Sequence, residues 1–531
     1  MKAHRTRPLS LRLLQSLVFI QITCRGDFRM FRIFGPPGTG KTTTLLNMVD
    51  KALADGVPSH QIAFLAFTRK AAHEARDRAA ERFNLVAKDD LPYFRTLHSL
   101  AYRMLGMRDD QTMKPEHFRE LSATIGMDLT IIRQDTFADD DIKTSVSDHP
   151  ILSMITLARL QKKDLRRAYD QSDLNYNWIE VDYVSRAYQK YKETNHLLDY
   201  TDMLALFIKE GLQYCPQFKL CFLDEAQDLS PLQWDVAHGL EKKAEKMFVA
   251  GDDDQAIYRW AGADVDHFIN LPGGSEVLQQ SYRVPSTIHA LAEKIVSRIS
   301  GRFPKTYLPK KERGRVERVF SVLDCDMSKG TWLVLSQARY MLQPLENELR
   351  SMGYLFSRFG HRSISEKISM AVNGWEQLRK GEAIDVETVR SIYRYMSGNG
   401  KKVARGAKKI IANEDDYFTF KDLKESCGLL APLDEPWFDA LDKLPSVDRA
   451  YIVAMLRRGE KFNAVPRINL STIHQAKGGE ADNVVLLLDL SPAALLTAND
   501  DIHRVFYVAV TRAKENLFLV EPEDLMKAYM L

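Results

Sequence analysis

Gly35-Pro36-Pro37-Gly38-Thr39-Gly40-Lys41-Thr42 is the stretch on which the reading of this chain turns. It satisfies G-x-x-x-x-G-K-[ST] at every fixed position. Before it, Phe31-Arg32-Ile33-Phe34 alternates as a short strand does, and after it residues 43–49 read as the start of a helix. Strand, glycine-rich loop and helix form the context such a motif needs. Glycines let backbone N–H groups close around phosphate oxygens, and the helix N-terminus adds its partial positive charge. The phosphate cradle is then Gly35, Pro36, Pro37, Gly38, Thr39, Gly40, Lys41, Thr42 and Thr43. Lys41 is placed to neutralise the β- and γ-phosphates, and Thr42 to hold Mg²⁺. A glycine-rich turn without ligand is the competing reading, and it loses ground with each motif downstream.

Working outward, residues 61–67 (QIAFLAF) form a strand and 68–83 a helix capped by Thr68. Residues 91–105 run from a short strand into a helix. The strand–helix alternation then lapses over 106–181, a charged, helix-prone insertion. It resumes with amphipathic helix at 182–212 and a strand at 219–223 that ends in Asp224-Glu225-Ala226-Gln227-Asp228. A strand at 247–250 leads into GDDDQAIYRWAG (251–262), and another precedes QQSYR (279–283). The pattern then repeats: helix to about 302, strand at 331–335, helix at 340–352, a second polar helix-rich insertion at 364–458, strands at 468–471 and 484–488, helix at 501–512 and strand at 517–520. Alternating strands and helices imply parallel sheets covered on both faces. The fold class expected is α/β, with two P-loop-type parallel-sheet cores, each carrying a helical insertion. Core 1 takes 30–105 and 182–284 around insertion 106–181; core 2 takes 285–363 and 459–531 around insertion 364–458.

The composition fits such a chain. At 531 residues it exceeds one ordinary core, and 45% hydrophobic with 27% charged residues is typical of a globular protein. A net charge of +3 requires any nucleic-acid site to be a local basic surface. The five cysteines, Cys24, Cys215, Cys221, Cys325 and Cys427, lack metal-ligand spacing and read as buried thiols of a reducing, cytoplasmic compartment. Residues 1–29 place basic residues before an apolar run at 13–22, too short to span a membrane and without a small-residue cleavage site. They read either as an extension ahead of a fold that starts near Met30 or as a nucleotide-reading segment.

Asp224 and Glu225 follow a buried strand, at the carboxyl end where open α/β sheets bind ligands. Asp224 is placed to hold Mg²⁺ and Glu225 to orient or deprotonate an attacking water. With DEAQD, GDDDQAIYRWAG, QQSYR, STIHQAKGGE (471–480) and FYVAVTRAKENL (506–517) following the glycine loop in order, the chain from about Met30 resembles the superfamily 1 DNA helicases of the UvrD/Rep/PcrA branch. The resemblance implies two RecA-like cores with ATP and Mg²⁺ between them. It implies that Gln255 senses the γ-phosphate, that Arg283 and Arg512 act as arginine fingers, that Tyr282 stacks on adenine, and that Glu480 meets the ribose in a loop shaped by Lys477 and Gly478. For single-stranded DNA it implies phosphate contacts at Thr68, His98, Thr472 and His474, and base stacking on Phe67, Tyr258 and Trp260. Buried packing is the alternative for Phe67, His98 and Tyr282. Basic groups at 162–167 and 401–409 are candidate duplex contacts, with solvated faces as the alternative.

Three departures stand out. Leu11-Arg12-Leu13-Leu14-Gln15 is a degraded fit to the family's adenine-reading motif, so Gln15 is that candidate. Gly479 and Ala481 replace larger apolar residues, and the second insertion is short for the branch. The expectation is an ATP-dependent helicase that moves along single strands, 3′→5′ by resemblance, acting at single-strand/duplex junctions with replication or repair proteins and no membrane. The rivals are a translocase that strips proteins with little unwinding and a nucleotide-gated DNA-binding scaffold.

Overall fold

The computed structural model describes residues 28–67, 69–83, 85–86, 89–129, 149–398, 400–407, 416–496, 500–522 and 524–531. Gln15, Thr68 and Cys24, together with residues 408 and 409 of the basic loop, lie outside them.

Seventeen strands are seen in the described residues. The first six are β1 (Met30–Phe34), β2 (Ile62–Ala66), β3 (Phe94–Thr96), β4 (Phe218–Leu223), β5 (Ala244–Gly251) and β6 (Gly274–Val277). They form one parallel sheet in the order β3-β2-β4-β5-β1-β6. This order sets the ends of β4 and β1 on either side of β5, with Phe34 opposite Gly251 and Leu223 opposite Val249. Alternation along the strands supplies two cores. Phe31, Ile33, Phe64, Phe222 and Phe248 pack on one face with Leu45, Leu46 and Val49 of helix Lys41–Ala54. Met30, Phe34, Leu65, Leu223 and Val249 pack on the other, against Trp234, Val236 and Leu240 of helix Pro231–Glu241. Burial on both faces is what a helix-covered parallel sheet requires.

The chain leaves this sheet through β7 (Gln280–Pro285), which pairs in parallel with β8 (Leu308–Lys310). Next come β9 (Arg315–Val319), β10 (Trp332–Ser336), β11 (Phe356–Arg358), β12 (His361–Arg362), the short pair β13 (Ile384–Asp385) and β14 (Tyr417–Phe418), and then β15 (Ile468–Thr472), β16 (Ala481–Leu487) and β17 (Ala513–Val520). The second sheet runs β12-β11-β15-β10-β16-β17-β9, parallel except for the β11–β12 hairpin. Its strands are again two-faced: Trp332 and Val334 join one core, and Leu333 and Leu335 the other.

Between β3 and β4, helices Pro115–Ile125, Pro150–Leu160, Leu165–Asp170 and Trp178–Thr194 gather a separate core of Leu121, Ile151, Leu152, Ile155, Val181, Val184 and Tyr188. Trp178–Thr194 runs unbroken through residue 181, held by an Asn177–Glu180 capping box at its start. Between β12 and β15, helices Glu366–Arg379, Val386–Arg394 and Ser446–Arg458 extend one core of the second sheet outward through Trp375, Ile392, Tyr451 and Ile452. The four described cysteines are buried free thiols.

Candidate functional site

Helix Lys41–Ala54 starts without a side-chain cap and without an acidic residue in its first turn. Its leading N–H groups therefore face the loop with only backbone and dipole to offer, as an anion site requires. Gly38 and Gly40 hold left-handed φ of 70° and 79°. A Cβ on Gly35 would fall 1.8 Å from Lys41 Cγ, and one on Gly38 would fall 2.3 Å from Arg283 Cβ. The loop is clamped: Gly35 N donates to Gly251 O (2.9 Å), Thr39 Oγ1 to Pro36 O (2.8 Å), and Ser281 Oγ to Pro37 O (2.7 Å). Pro36, Pro37 and Thr39 are buried, while Thr43 is exposed at the mouth.

Lys41 Nζ donates to Gly35 O (3.1 Å) and lies 3.5 Å from Glu225 Oε1. Thr42 Oγ1 donates to Asp224 Oδ2 at 2.7 Å. A hydroxyl and a buried carboxylate facing each other beneath a phosphate loop are the oxygen donors a hard divalent cation takes. The pair thus fits Mg²⁺, which when bound would neutralise phosphate charge. Burial and the adjacent Glu225 carboxylate push Asp224 above the usual carboxylate range. Burial alone would raise Glu225 as well, but the Lys41 and Lys477 ammoniums override it and hold Glu225 down. Glu225 sits at a left-handed φ of 55°, a strained position for a residue with a side chain. Gln227 steadies it, donating from Nε2 to Glu225 Oε2 (2.6 Å) while its Oε1 accepts from Asp252 N (2.9 Å).

The second sheet completes the site. Arg512, two residues past the end of helix Asp500–Val510, donates to Gln255 Oε1 (2.7 Å) and through Nε to Val508 O (2.9 Å). Burial and the neighbouring Arg283 guanidinium lower Arg512 to about 9, with Glu225 and Glu480 opposing, so it stays charged at neutral pH. Arg283 Nε donates to Glu480 Oε2 at 2.6 Å. Burial would raise Glu480, but Arg283 holds it below its ordinary value. Gly478 carries a φ of 81° in the loop between β15 and β16. Lys477 reaches the first sheet's acids, bonding Asp228 and donating to Gln255 O (2.8 Å). Asp228 is nonetheless pushed up to about 6 by burial. Tyr282 is 52% exposed beside the loop, its N donating to Gly38 O (2.8 Å), which leaves the ring free of the core.

The aromatic candidates form a second cluster where the two sheets meet. Phe67 stacks on Tyr258 (centroids 5.9 Å apart, 29°), and Trp260 lies edge-on to His474 (6.2 Å, 84°). Trp260 is 44% exposed, whereas Tyr258 is only 3% exposed and donates from its hydroxyl to His474 O (3.1 Å). In this arrangement Tyr258 offers no open face and backs the platform from below. Burial and Lys477 hold the His474 imidazole well below its usual value. Thr472 is buried, its hydroxyl capping Gln475 N (3.3 Å). His98, at the start of helix Leu97–Met104, meets Tyr200 edge to face (5.8 Å). Of the basic groups, Lys162 pairs with Asp235 (2.6 Å) and Arg166 lies over the Trp178 ring (4.8 Å).

Several contacts at this site carry no strong sequence signal. Ser281, Gln227, Asp228 and Asp252 sit within motif stretches, but their bonds depend on which strand ends become neighbours. Lys305 and Arg302, which meet the Asp252–Asp254 acids, lie in a stretch with no motif at all.

A phosphate loop closed upon by arginine and lysine from a second parallel sheet defines a P-loop NTPase built of two RecA-like lobes. Comparison with known families narrows the class. The UvrD/REP helicase N-terminal domain matches residues 29–273, and the UvrD-like helicase C-terminal domain matches residues 445–523. The chain belongs to the UvrD-like helicase family. It is 23% identical to a probable DNA helicase II homolog of Mycoplasma genitalium, over 92% of this chain and 82% of that one. It is 28% identical to the ATP-dependent DNA helicase PcrA of Leuconostoc citreum and 26% identical to that of Staphylococcus aureus, each over 51% of this chain but only 38% of the relative. Among the described residues no helix is long and apolar enough to cross a membrane.

Proposed function

We infer that this chain is an ATP-dependent DNA helicase that moves along single-stranded DNA and opens duplexes. The names of its relatives support the activity, and one observation carries the mechanism. Gln255 of the first lobe is held by Arg512 and Lys477 of the second, so its side chain reports lobe closure. In this reading core 1 (30–105 with 182–284) and core 2 (285–363 with 459–531) clamp ATP between them, each bearing its helical insertion.

Lys41, Arg283 and Arg512 stabilise charge on the transferring γ-phosphoryl group, and Thr42 with Asp224 would hold Mg²⁺, which would neutralise phosphate charge. Glu225 takes a proton from water as its oxygen bonds to the γ-phosphorus and the bond to the β-phosphate oxygen breaks. Tyr282 stacks on the base and Glu480 turns from Arg283 to the ribose. Loss of the γ-phosphate frees Arg512 and Arg283, the lobes part, and the strand slips past the platform of Phe67 and Trp260, which Tyr258 backs. Thr472, His474, His98 and Thr68 hold its phosphates, and polarity is 3′→5′.

The test is steady-state hydrolysis with and without single-stranded DNA, followed by strand separation on duplexes with a 3′ or a 5′ tail. Lys41→Ala and Glu225→Gln are expected to abolish stimulated hydrolysis in folded protein. Full hydrolysis in either variant removes the chemical assignment, and unwinding from the 5′ tail alone reverses the polarity.

A further inference from the structure

Between the two lobes runs a strap, Gly301-Arg302-Phe303-Pro304-Lys305, that no motif marks. Its upstream end is fixed to the second lobe. Helix Ser286–Val296 packs on helix Asp500–Val510 through Ile288, Ala292 and Ile295 against Val505 and Phe506. Asp500 accepts from Ser300 N (3.1 Å) and Gly301 N (2.9 Å), and the buried Arg504 donates to Gly301 O. Its downstream end is driven into the first lobe. The Phe303 ring lies flat on Phe34 (4.0 Å, 7°), the residue immediately before the phosphate loop. Arg302 grips Asp254 with two bonds (2.9 and 2.7 Å), and Phe303 N donates to Asp253 Oδ2 (2.7 Å).

Lys305 is the centre of this attachment. Its side chain is 1% exposed, and its ammonium lies 3.2, 2.6 and 2.6 Å from Asp252, Asp253 and Asp254. Three buried carboxylates on consecutive residues repel one another, and a lysine shared by all three, with Arg302 on Asp254, lets them sit together. Asp252 in turn accepts from Gln255 Nε2 (2.6 Å), and Gln255 Oε1 accepts from Arg512 (2.7 Å). An unbroken run of charged and hydrogen-bonded contacts therefore leads from Lys305 through Asp252 and Gln255 to Arg512.

We propose that Lys305 is a positioning residue: through Asp252 it sets Gln255 against Arg512, and the strap makes that setting answer to movement of the second lobe. Such a lysine touches no substrate, yet turnover depends on it, because a shift of about 1 Å in a reacting constellation costs about 10²-fold in rate. The proposal rests on the hydrolysis assigned above.

The experiment compares wild type, Lys305→Met and Lys305→Met/Asp253→Asn for ATP hydrolysis across a titration of single-stranded DNA, with kcat expressed per folded molecule from a melting curve. The double variant removes one charge of each sign and carries the test should the single one fail to fold. The expected result is a fall of about 10- to 100-fold in stimulated kcat with the KM for ATP changed less than about threefold. A lysine with a merely structural role would lower the melting temperature and leave kcat per folded molecule unchanged. Stimulated kcat within about twofold of wild type overturns the proposal, as does a loss confined to KM. A wild-type chain without DNA-stimulated hydrolysis instead refutes the functional reading, and the strap's role with it.

Discussion

Arg512 offers the sharpest quantitative test of a shared site. Its guanidinium makes three kinds of contact at once: Nε to Val508 O at 2.9 Å, one terminal nitrogen to Gly479 O at 3.4 Å, and the other to Gln255 Oε1 at 2.7 Å. The first two lie within the second lobe and aim the fork; the third crosses to the first lobe. Arg512→Lys keeps the charge but has one nitrogen where the fork has three, so aim and reach cannot both be kept. A hydrogen bond to a charged group contributes about 1.5–3 kcal/mol, so losing the crossing bond alone costs about 10- to 150-fold in kcat. Arg512→Ala also removes the charge, and the expected loss rises to about 10³-fold or more. The assay is single-turnover hydrolysis at saturating single-stranded DNA, with ATP affinity measured separately by a fluorescent analogue. Affinity should change less than about threefold, because the bond is spent on the transition state. Combining Arg512→Ala with Gln255→Ala should cost clearly less than the product of the two single losses, since the residues touch. Multiplicative losses, or Arg512→Ala retaining a tenth of wild-type kcat, would refute the reasoning.

The parts of the site that were legible in the sequence are those whose chemistry is local in the chain. Gly35 to Thr42 dictates its own geometry, since a side chain at Gly35 or Gly38 would collide with Lys41 or Arg283. Asp224 and Glu225 were legible because apolar Leu220 to Leu223 announces a strand with an acidic end. The two-faced strands gave away the covered parallel sheets. The strand order was not legible, because β1 meets β5 only after more than two hundred intervening residues, and the order decides that Gln227 faces Asp252. Tyr258 shows the same limit from the other side. It follows the same polar loop, 251–255, as Trp260 and shares Arg259 as a neighbour, yet its ring is buried by Phe67 and by His474 from the second lobe. The strap around Lys305 was opaque for a physical reason: a single lysine in a loop is ordinarily solvated, and only the fold brings three consecutive aspartates over it.

Further outcomes follow from the same geometry. Gly38→Ala forces a Cβ to 2.3 Å from Arg283 at a left-handed φ of 70°, so ATP affinity should fall more than about tenfold (~1.4 kcal/mol); an unchanged isotherm would contradict the loop geometry. Trp260→Ala should weaken single-strand binding by about 1–3 kcal/mol in a fluorescence anisotropy titration, and Tyr258→Phe, which loses the bond to His474 O but keeps the ring, should weaken it far less; the reverse ranking would move the platform to Tyr258. Asp224→Asn should abolish hydrolysis and yet raise the melting temperature at pH 8 in the presence of a chelator. The sign follows from burial: a carboxyl held above its ordinary value of 3.8 binds its proton more tightly when folded than when unfolded. Its cost to stability is therefore absent below that ordinary value, grows as the pH rises through the folded value, and is complete above it. The asparagine, whose single oxygen accepts from the Glu225 N–H (3.0 Å in wild type) while its NH₂ donates to the Thr42 hydroxyl, escapes the cost, so the difference between the two melting curves should narrow steadily towards pH 4. A variant that melts below wild type at pH 8 would mean that Lys41 already neutralises Asp224 in the absence of metal, and the carboxylate would then not be the member of the pair waiting for a cation.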